Sequence, residues 1–160
     1  MARQQQSRRS SERHQEPKEF EQAIIDIARV TRVVAGGKRM RFRACVVLGD
    51  RKGRVGYGLA KGGDVSLAVN KAVTAAKKRL ITVQLVEGTI PHVVHQKQGA
   101  ALILLKPAPQ GTGLIAGGPL RSLFEVCGIQ NIVSKMQGSR NKINNIKAGY
   151  EALRSLRRRT

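Results

Sequence analysis

The stretch "GDRKGRVGYGLAKGGD", residues 49–64, carries six glycines and four basic side chains in sixteen positions. Two readings compete for it. A glycine-rich loop ahead of a helix cradles phosphate in many nucleotide enzymes. Glycine also lets a backbone press closely against something large and polyanionic. The flanking sequence separates the two.

Upstream, "IIDIARVTRVVA" (24–35) is rich in β-branched residues and reads as a strand. "AGGK" turns the chain into "RMRFRACVVLGD" (39–50). There Met40, Phe42, Ala44, Val46 and Leu48 alternate with Arg39, Arg41 and Arg43, and the basic face turns apolar only at Cys45 and Val47. Residues 50–53 make a second turn and "RVGYGLAK" a third strand, giving an antiparallel meander. Downstream, Asp64 is placed to cap a helix whose stripe is Val65, Ala68, Val69, Ala72, Val73, Ala76 and Leu80. The small residues of that stripe predict a helix lying close on the sheet. The first unit is therefore β-β-β-α.

The second unit has another order. "TVQLVEG" and "HVVHQKQGAALILLKPA" predict three strands, the last apolar without alternation around Leu102 to Leu105. "GTGLIAGGP" (111–119) leads into a helix with Pro119 in its first turn, Leu120, Leu123, Phe124 and Cys127 on its apolar face, and Gly128 as its stop. "IQNIVSKMQG" predicts a short strand. Ser139 or Asn141 starts a last helix faced by Ile143, Ile146, Tyr150, Leu153 and Leu156. The order is β-β-β-α-β-α, and the fold class is α+β. The divisions are a disordered basic arm over 1–20, a first domain over 21–82 and a second over 83–160.

Catalysis finds little support. Gly111, Gly113 and Gly117 loosely match a dinucleotide fingerprint, but no acidic residue lies between Glu125 and Glu151, where the ribose partner would be needed. No GxxxxGK[ST] occurs, and no carboxylate pair or nucleophile–base arrangement stands out. Cys45 and Cys127 are far apart and read as core thiols, and the three histidines are scattered, so neither a metal nor a cofactor is expected. No apolar run reaches the roughly 20 residues needed to cross a membrane.

Charge points elsewhere. The net charge is +20. Residues 1–18 supply +3 of it and Arg154, Arg157, Arg158 and Arg159 another +4, which leaves +13 in the body of the chain. A basic excess spread through a folded body is the footprint of a nucleic-acid binder. With no tryptophan and five phenylalanine and tyrosine residues in all, base stacking is not the mode, and shape and backbone reading is. The Arg39, Arg41, Arg43 stripe has a spacing of about 6.6 Å, roughly that of successive phosphates. The helix start beside Arg140 and Lys142 offers N–H groups and a positive dipole end. Leu114, Ile115 and Ala116 among glycines point to a protein contact.

Three ordered blocks, "VVAGGKRMRFRACVVLGDRKGRVGYGLAKG", "GTGLIAGGPLRSLFEVCGI" and "GSRNKIN", strongly resemble the bacterial-type small-subunit ribosomal protein S-five family. The resemblance covers nearly the whole chain from Ile24. It implies a first domain like a double-stranded-RNA-binding fold without its leading helix, and a second domain with a left-handed crossover. It implies a structural constituent of the small ribosomal subunit that binds its 16S-type ribosomal RNA. It further implies contact with the neighbours S-four and S-eight, and a place with S-three and S-four on the path where messenger RNA enters, with influence on decoding accuracy. The setting is a ribosome, cytoplasmic, with an organellar one left open.

The candidate RNA contacts are Arg29, Arg32, Gly36, Gly37, Lys38, Arg39, Arg41, Arg43, Arg51, Lys52, Arg54, Tyr57, Lys61, His92, Arg140 and Lys142. The candidate protein contacts are Gly111, Gly113, Gly117, Gly118 and Arg121, of which Gly113 and Arg121 match the family's S-four contact. Ala35 and Met40 depart from the basic and aromatic residues common in the family. The rival reading is a free-standing RNA-binding protein.

Overall fold

The computed structural model describes residues 20–157, so the basic arm, apart from Phe20, and Arg158 and Arg159 lie outside it. Among the described residues the chain forms eight strands and three helices. In order they are β1 (Glu21–Val34), β2 (Gly37–Gly49), β3 (Arg54–Gly62), α1 (Val65–Lys77), β4 (Ile81–Thr82), β5 (Val94–Gln98), β6 (Ala101–Pro107), β7 (Leu114–Ile115), α2 (Gly118–Cys127), β8 (Ile132–Met136) and α3 (Lys142–Ser155). They build two four-stranded sheets, β1-β2-β3-β4 and β5-β6-β8-β7, the second mixed because β7 and β8 run parallel.

The meander forms as its alternation predicts, and two-residue β4 extends it by pairing with Arg54 and Val55. β2 changes character along its length. Residues 37–41 are exposed, whereas Ala44 to Gly49 are buried. One face of that buried half packs Ala44 and Val46 against Ala68 and Ala72 of α1. The other places Val47 with Val55, Leu120, Leu123 and Phe124 in the larger core, which both sheets share. A strand covered on both faces needs no polar alternation.

The glycines of the opening stretch find their use here. Gly56, Gly58 and Gly62 sit at alternate positions of β3, on the face under α1. A Cβ on Gly58 would lie 1.9 Å from the Ala72 carbonyl oxygen, one on Gly56 2.6 Å from that of Ala76, and one on Gly62 2.6 Å from the Ala68 nitrogen. Ala68, Ala72 and Ala76, spaced at i, i+4 and i+8, are fully buried against them. Two small-residue faces thus let helix and strand backbones touch.

Four expectations need correction. "TVQLVEG" is not a strand beyond Thr82. Consecutive left-handed residues, Glu87 (φ 49°) and Gly88 (φ 77°), turn the chain, leaving one isolated bridge between Val86 and Thr89. The third strand of the second unit arises instead as β7, inside the glycine-rich segment that leads into the helix. In the first unit α1 ends at Lys77, before Leu80, and Asp64 holds the cap position without a side-chain cap bond, its carboxylate accepting from Ser66 Oγ at 2.6 Å.

The helices of the second unit follow their signals. Gly117 precedes α2, Pro119 sits in its first turn, and Gly128 ends it in left-handed geometry (φ 90°), its N–H donating to the Phe124 and Glu125 carbonyls. Asn141, not Ser139, caps α3, its Oδ1 accepting from the Ile143 N–H at 3.0 Å. The Ser139 hydroxyl supports it by accepting from the Asn141 N–H.

Candidate nucleic-acid interface

β1 and β2 stay paired down to Val34 and Gly37, but β3 accompanies β2 only from Phe42 onward. Residues 30–34 and 37–41 therefore project beyond the sheet as a two-stranded ribbon, about 16 Å long at the usual strand rise. Every residue from Thr31 to Arg41 is exposed. A lone hairpin is marginally stable in water, so this one relies on the sheet at its base.

Register sorts the basic residues by face. Directly opposed residues of antiparallel strands share a face. Arg32 pairs with Arg39, Val30 with Arg41, and Ala28 with Arg43, while Lys61 of β3 pairs with Arg43 from the other side. Arg32 and Lys61 thus join the predicted stripe Arg39, Arg41, Arg43. Val30, Arg32, Arg39, Arg41 and Lys61 line a groove of about 280 Å³. Arg29 pairs with Phe42 and Lys38 with Val33, so these two cations lie on the opposite face. Gly37 adopts φ 142° at the ribbon tip, next to Gly36 in the turn. No acidic residue occurs from Ile27 to Gly49. Arg32 facing Arg39 is a like-charge pair that costs stability until an anion arrives.

Arg43 and Lys142, 99 positions apart in the chain, meet at one carboxylate. Asp26 lies 3.7 Å from Arg43 Nη2 and accepts from Lys142 Nζ at 3.2 Å. Asp26 keeps the alternation of Ala28, Val30 and Arg32 and so shares the face of Arg43, its pairing partner Cys45 being two residues along from Arg43. A bulge adjoins it, since Ile24 pairs with Val46 and Ile25 is left as an extra residue. Sequence reasoning passed over Asp26, although its period with Arg32 already placed it on the basic face. Arg140 is exposed just before α3.

The turn between β2 and β3 is anchored, with its two arginines on carboxylates. Arg51 forms a two-pronged pair with Glu21, Nη2 donating to Oε1 at 2.8 Å. Arg54 Nε donates to Asp50 Oδ2 at 2.6 Å, and its guanidinium lies 5.0 Å from the Phe20 ring centre. The Asp50 side chain is 7% accessible. Burial alone would raise its pKa, but hydrogen bonds from the Arg54 side chain and the Lys52 and Arg54 N–H groups outweigh it, and the carboxyl lies below its ordinary value. The backbone is tied as well. The Arg51 and Gly53 N–H groups donate to the Val126 and Cys127 carbonyls at 3.0 and 2.9 Å, satisfying groups that the end of α2 leaves open. Lys52 is exposed.

Tyr57 is turned inward, edge-on to Tyr150 at 4.9 Å, with the Arg79 guanidinium 5.5 Å from its ring centre. The Tyr150 hydroxyl donates to the Arg79 carbonyl at 2.9 Å. His92 is half-buried outside the ribbon.

The second candidate surface is the segment from Gly111 to Arg121. Gly111 (φ 89°) and Gly113 (φ 74°) need their left-handed conformations. The Gly113 N–H donates to Asn131 Oδ1 at 3.0 Å, and its carbonyl accepts from the Ile132 N–H. Asn131 is a buried polar residue that sequence reasoning passed over, since beside Gln130 nothing in the sequence set it apart. A Cβ on Gly117 would collide with the Met136 methyl. Gly118 and Arg121 are exposed, and Gly118 borders a groove with Pro119, Ser122, Ile24, Ile25 and Lys142. No acidic residue occupies the first turn of α2 beside Arg121.

Both cysteines are free thiols in the interior. Burial, with Asp26 adding to it, pushes Cys45 up to about 11, and burial, with Asp50 adding to it, pushes Cys127 up to about 12. Among the described residues no group of three or more His, Cys, Asp or Glu side chains could hold a metal ion, and no helix is long and apolar enough to cross a membrane.

Comparison with known proteins gives this geometry a family. Residues 20–84 match the profile "Ribosomal protein S5, N-terminal domain", and residues 96–160 match "Ribosomal protein S5, C-terminal domain". The chain belongs to the ribosomal protein S5 family. It is 47% identical over 156 residues to the "Small ribosomal subunit protein uS5" of Methylorubrum extorquens (strain PA1), a match covering 97% of this chain and 81% of the relative. The protein of the same name from Methylobacterium sp. (strain 4-46) is 48% identical over 155 residues, covering 96% and 81%. The family's two profiles meet a structure with two sheets, whose larger hydrophobic core joins both.

Proposed function

We propose that this chain is a structural, non-catalytic constituent of the small ribosomal subunit and grips its ribosomal RNA with the β1–β2 ribbon. One observation carries the reading: Arg32 and Arg39 stand directly opposed on a projecting ribbon beside Arg41 and Lys61, with no acidic residue from Ile27 to Gly49. Opposed guanidinium groups are tolerated where phosphate oxygens lie between them. Arg43, Lys142 and Arg140 extend the basic surface towards the start of α3. Arg29 and Lys38 engage RNA from the second face of the ribbon. Lys52 and the guanidinium edges of Arg51 and Arg54 belong to its flank.

The finer parts of the reading rest on the family. Gly111, Gly113, Gly117, Gly118 and Arg121 form the contact with S-four. S-eight and S-three are further neighbours, the chain borders the path where messenger RNA enters, and it influences decoding accuracy. The domains divide between residues 82 and 83. The first is a variant of the double-stranded-RNA-binding fold, and the β7–α2–β8 crossover of the second is left-handed.

The test is binding of small-subunit RNA across a salt series. Arg41→Ala should weaken binding similarly for all RNA sequences and shallow the salt slope by about one. Loss confined to one RNA sequence would refute phosphate gripping. Co-sedimentation with small subunits in one-to-one amount supports the ribosomal reading. Recovery only in free form, with RNA affinity intact, supports the free-standing rival.

A further inference from the structure

One carboxylate stands among the arginines of the β1–β2 hairpin. Asp26 shares a face with Arg32, Arg39, Arg41 and Arg43, and with Lys61 of the next strand. No acidic residue follows it until Asp50. Glu21, the other acid of β1, is engaged by Arg51. Asp26 instead takes two cations: Lys142 Nζ donates to its Oδ1 at 3.2 Å, and Arg43 Nη2 stands 3.7 Å from its Oδ2.

The two contacts differ in kind. Lys142 opens α3, a helix with no acidic residue in its first turn, so its charge lies against the positive end of the helix dipole. Asp26 reaches in from β1 to offset both, and so joins the start of α3 to the first sheet. Arg43 is attracted without being bonded. Its distance is past hydrogen-bond length, and its buried Nε has no hydrogen-bond partner among the described residues. An arginine with an unmade bond is open to a better acceptor, and a phosphate oxygen bonds a guanidinium at about 2.8 Å. With 24% of its side chain accessible, Asp26 is screened less than a surface acid, and its charge is felt by whatever approaches Arg43.

We infer that Asp26 is a specificity-determining residue for RNA: its carboxylate competes with phosphate for Arg43 and Lys142, and its bridge fixes where the start of α3 stands relative to the arginine stripe. The inference rests on the ribbon reading of the function. An RNA that meets the surface through charge alone must displace a carboxylate already there. Non-specific binding consists almost entirely of that phosphate term, so the carboxylate subtracts most from the wrong partners. An RNA whose phosphates match the fixed spacing recovers the loss, because two basic patches already aligned add no ordering cost on binding. A bridge of purely structural use would raise stability and leave both classes of RNA equally bound.

The test is binding across a salt series of small-subunit RNA and of an unrelated RNA of equal length, with the full chain and four variants. Asp26→Asn frees one net positive charge while keeping the side chain's shape and an acceptor for Lys142, so the protein stays folded. Unrelated RNA should then bind about fivefold more tightly at 0.15 M salt, with a salt slope steeper by about 0.9. Small-subunit RNA should gain less than about twofold, since the lost alignment offsets the added charge. Asp26→Glu should restore the parent's behaviour. Glu87→Gln makes the same change in net charge on the turn between β4 and β5 and should move neither RNA. Equal gains for both RNAs, no gain for the unrelated one, or the same gain from Glu87→Gln would each overturn the inference. Arg41→Ala tells its failure from that of the ribbon. If Arg41→Ala weakens both RNAs, those outcomes overturn the inference alone; if it changes neither, the ribbon reading falls and the inference with it.

Discussion

Replacing Gly58 with alanine tests the contact that holds α1 on the first sheet. The added Cβ would lie 1.9 Å from the Ala72 carbonyl oxygen and 2.8 Å from the Ala76 nitrogen. Reaching even 3.0 Å requires α1 to lift by about 1.1 Å, and the obstacle is helix backbone, which has no rotamer to change. A gap of 0.5–1 Å already forfeits about a quarter to a half of the dispersion well of each facing atom pair. The Ala44, Val46, Ala68 and Ala72 cluster would open along its length. Overpacking of this kind costs about 3 kcal/mol, and the lower chain entropy of alanine in the unfolded state returns about 0.5–1 kcal/mol. The net loss is about 2–2.5 kcal/mol, or about 5–10 °C in Tm for a domain of this size. Circular dichroism melts of Gly58→Ala and Gly63→Ala measure it, since a Cβ on Gly63 meets open space. If Gly58→Ala melts within 2 °C of the parent, the close-approach argument fails.

Three further outcomes follow from the structure. Because Asp50 ionises below its unfolded value, its contribution to stability is present above about pH 4 and is lost as pH falls through the lower folded value; Asp50→Asn should destabilise the protein at pH 7 and flatten its acid-unfolding curve, as urea titrations at pH 7 and pH 3 would measure. With Cys45 and Cys127 pushed up to about 11 and 12, a thiol reagent at pH 8 should label neither in the native protein and both in guanidinium; fast native labelling of Cys127 would contradict its packing. Arg121→Leu leaves Leu120, Leu123, Phe124 and Cys127 untouched, so the protein should melt normally, and on the proposed S-four contact it should bind S-four more weakly and raise misreading; unchanged accuracy in a stop-codon reporter, with normal subunit assembly, would remove that proposed role.

Much of this architecture was legible in the sequence because periodic burial leaves periodic residues. The alternation of Met40 to Leu48 marked β2, and the stripe of Leu120 to Cys127 with Pro119 and Gly128 marked α2. What stayed hidden depended on register. Composition gives the same account of Gly53, a turn glycine with φ 93°, and Gly58, a packing glycine; only the position of α1 over β3 separates them. β7 is two residues long, too short for any period to show. At the candidate site the stripe Arg39, Arg41, Arg43 was readable, but its extension by Arg32 and Lys61 required the pairing across three strands. Asp26 was on the readable face, but its sharing by Arg43 and Lys142 required the start of α3 to be placed beside β1. The anchoring of Arg51 and Arg54 by Glu21 and Asp50 was invisible to a count of charges, which treats every arginine as equally available.

The docking of the 50–53 turn on the end of α2 also sets an order in time. The N–H groups of Arg51 and Gly53 have their acceptors at Val126 and Cys127, and Val47 and Val55 bury themselves against Leu120 and Leu123. During synthesis the three long strands of the first sheet are therefore complete about 65 residues before the helix that closes over them. At about 5–20 residues per second, that face waits roughly 3–13 s with its valines in water. A slow stretch of translation between residues 62 and 128 would prolong this interval and raise the yield of aggregated nascent chains, even though every contact of the finished protein is unchanged.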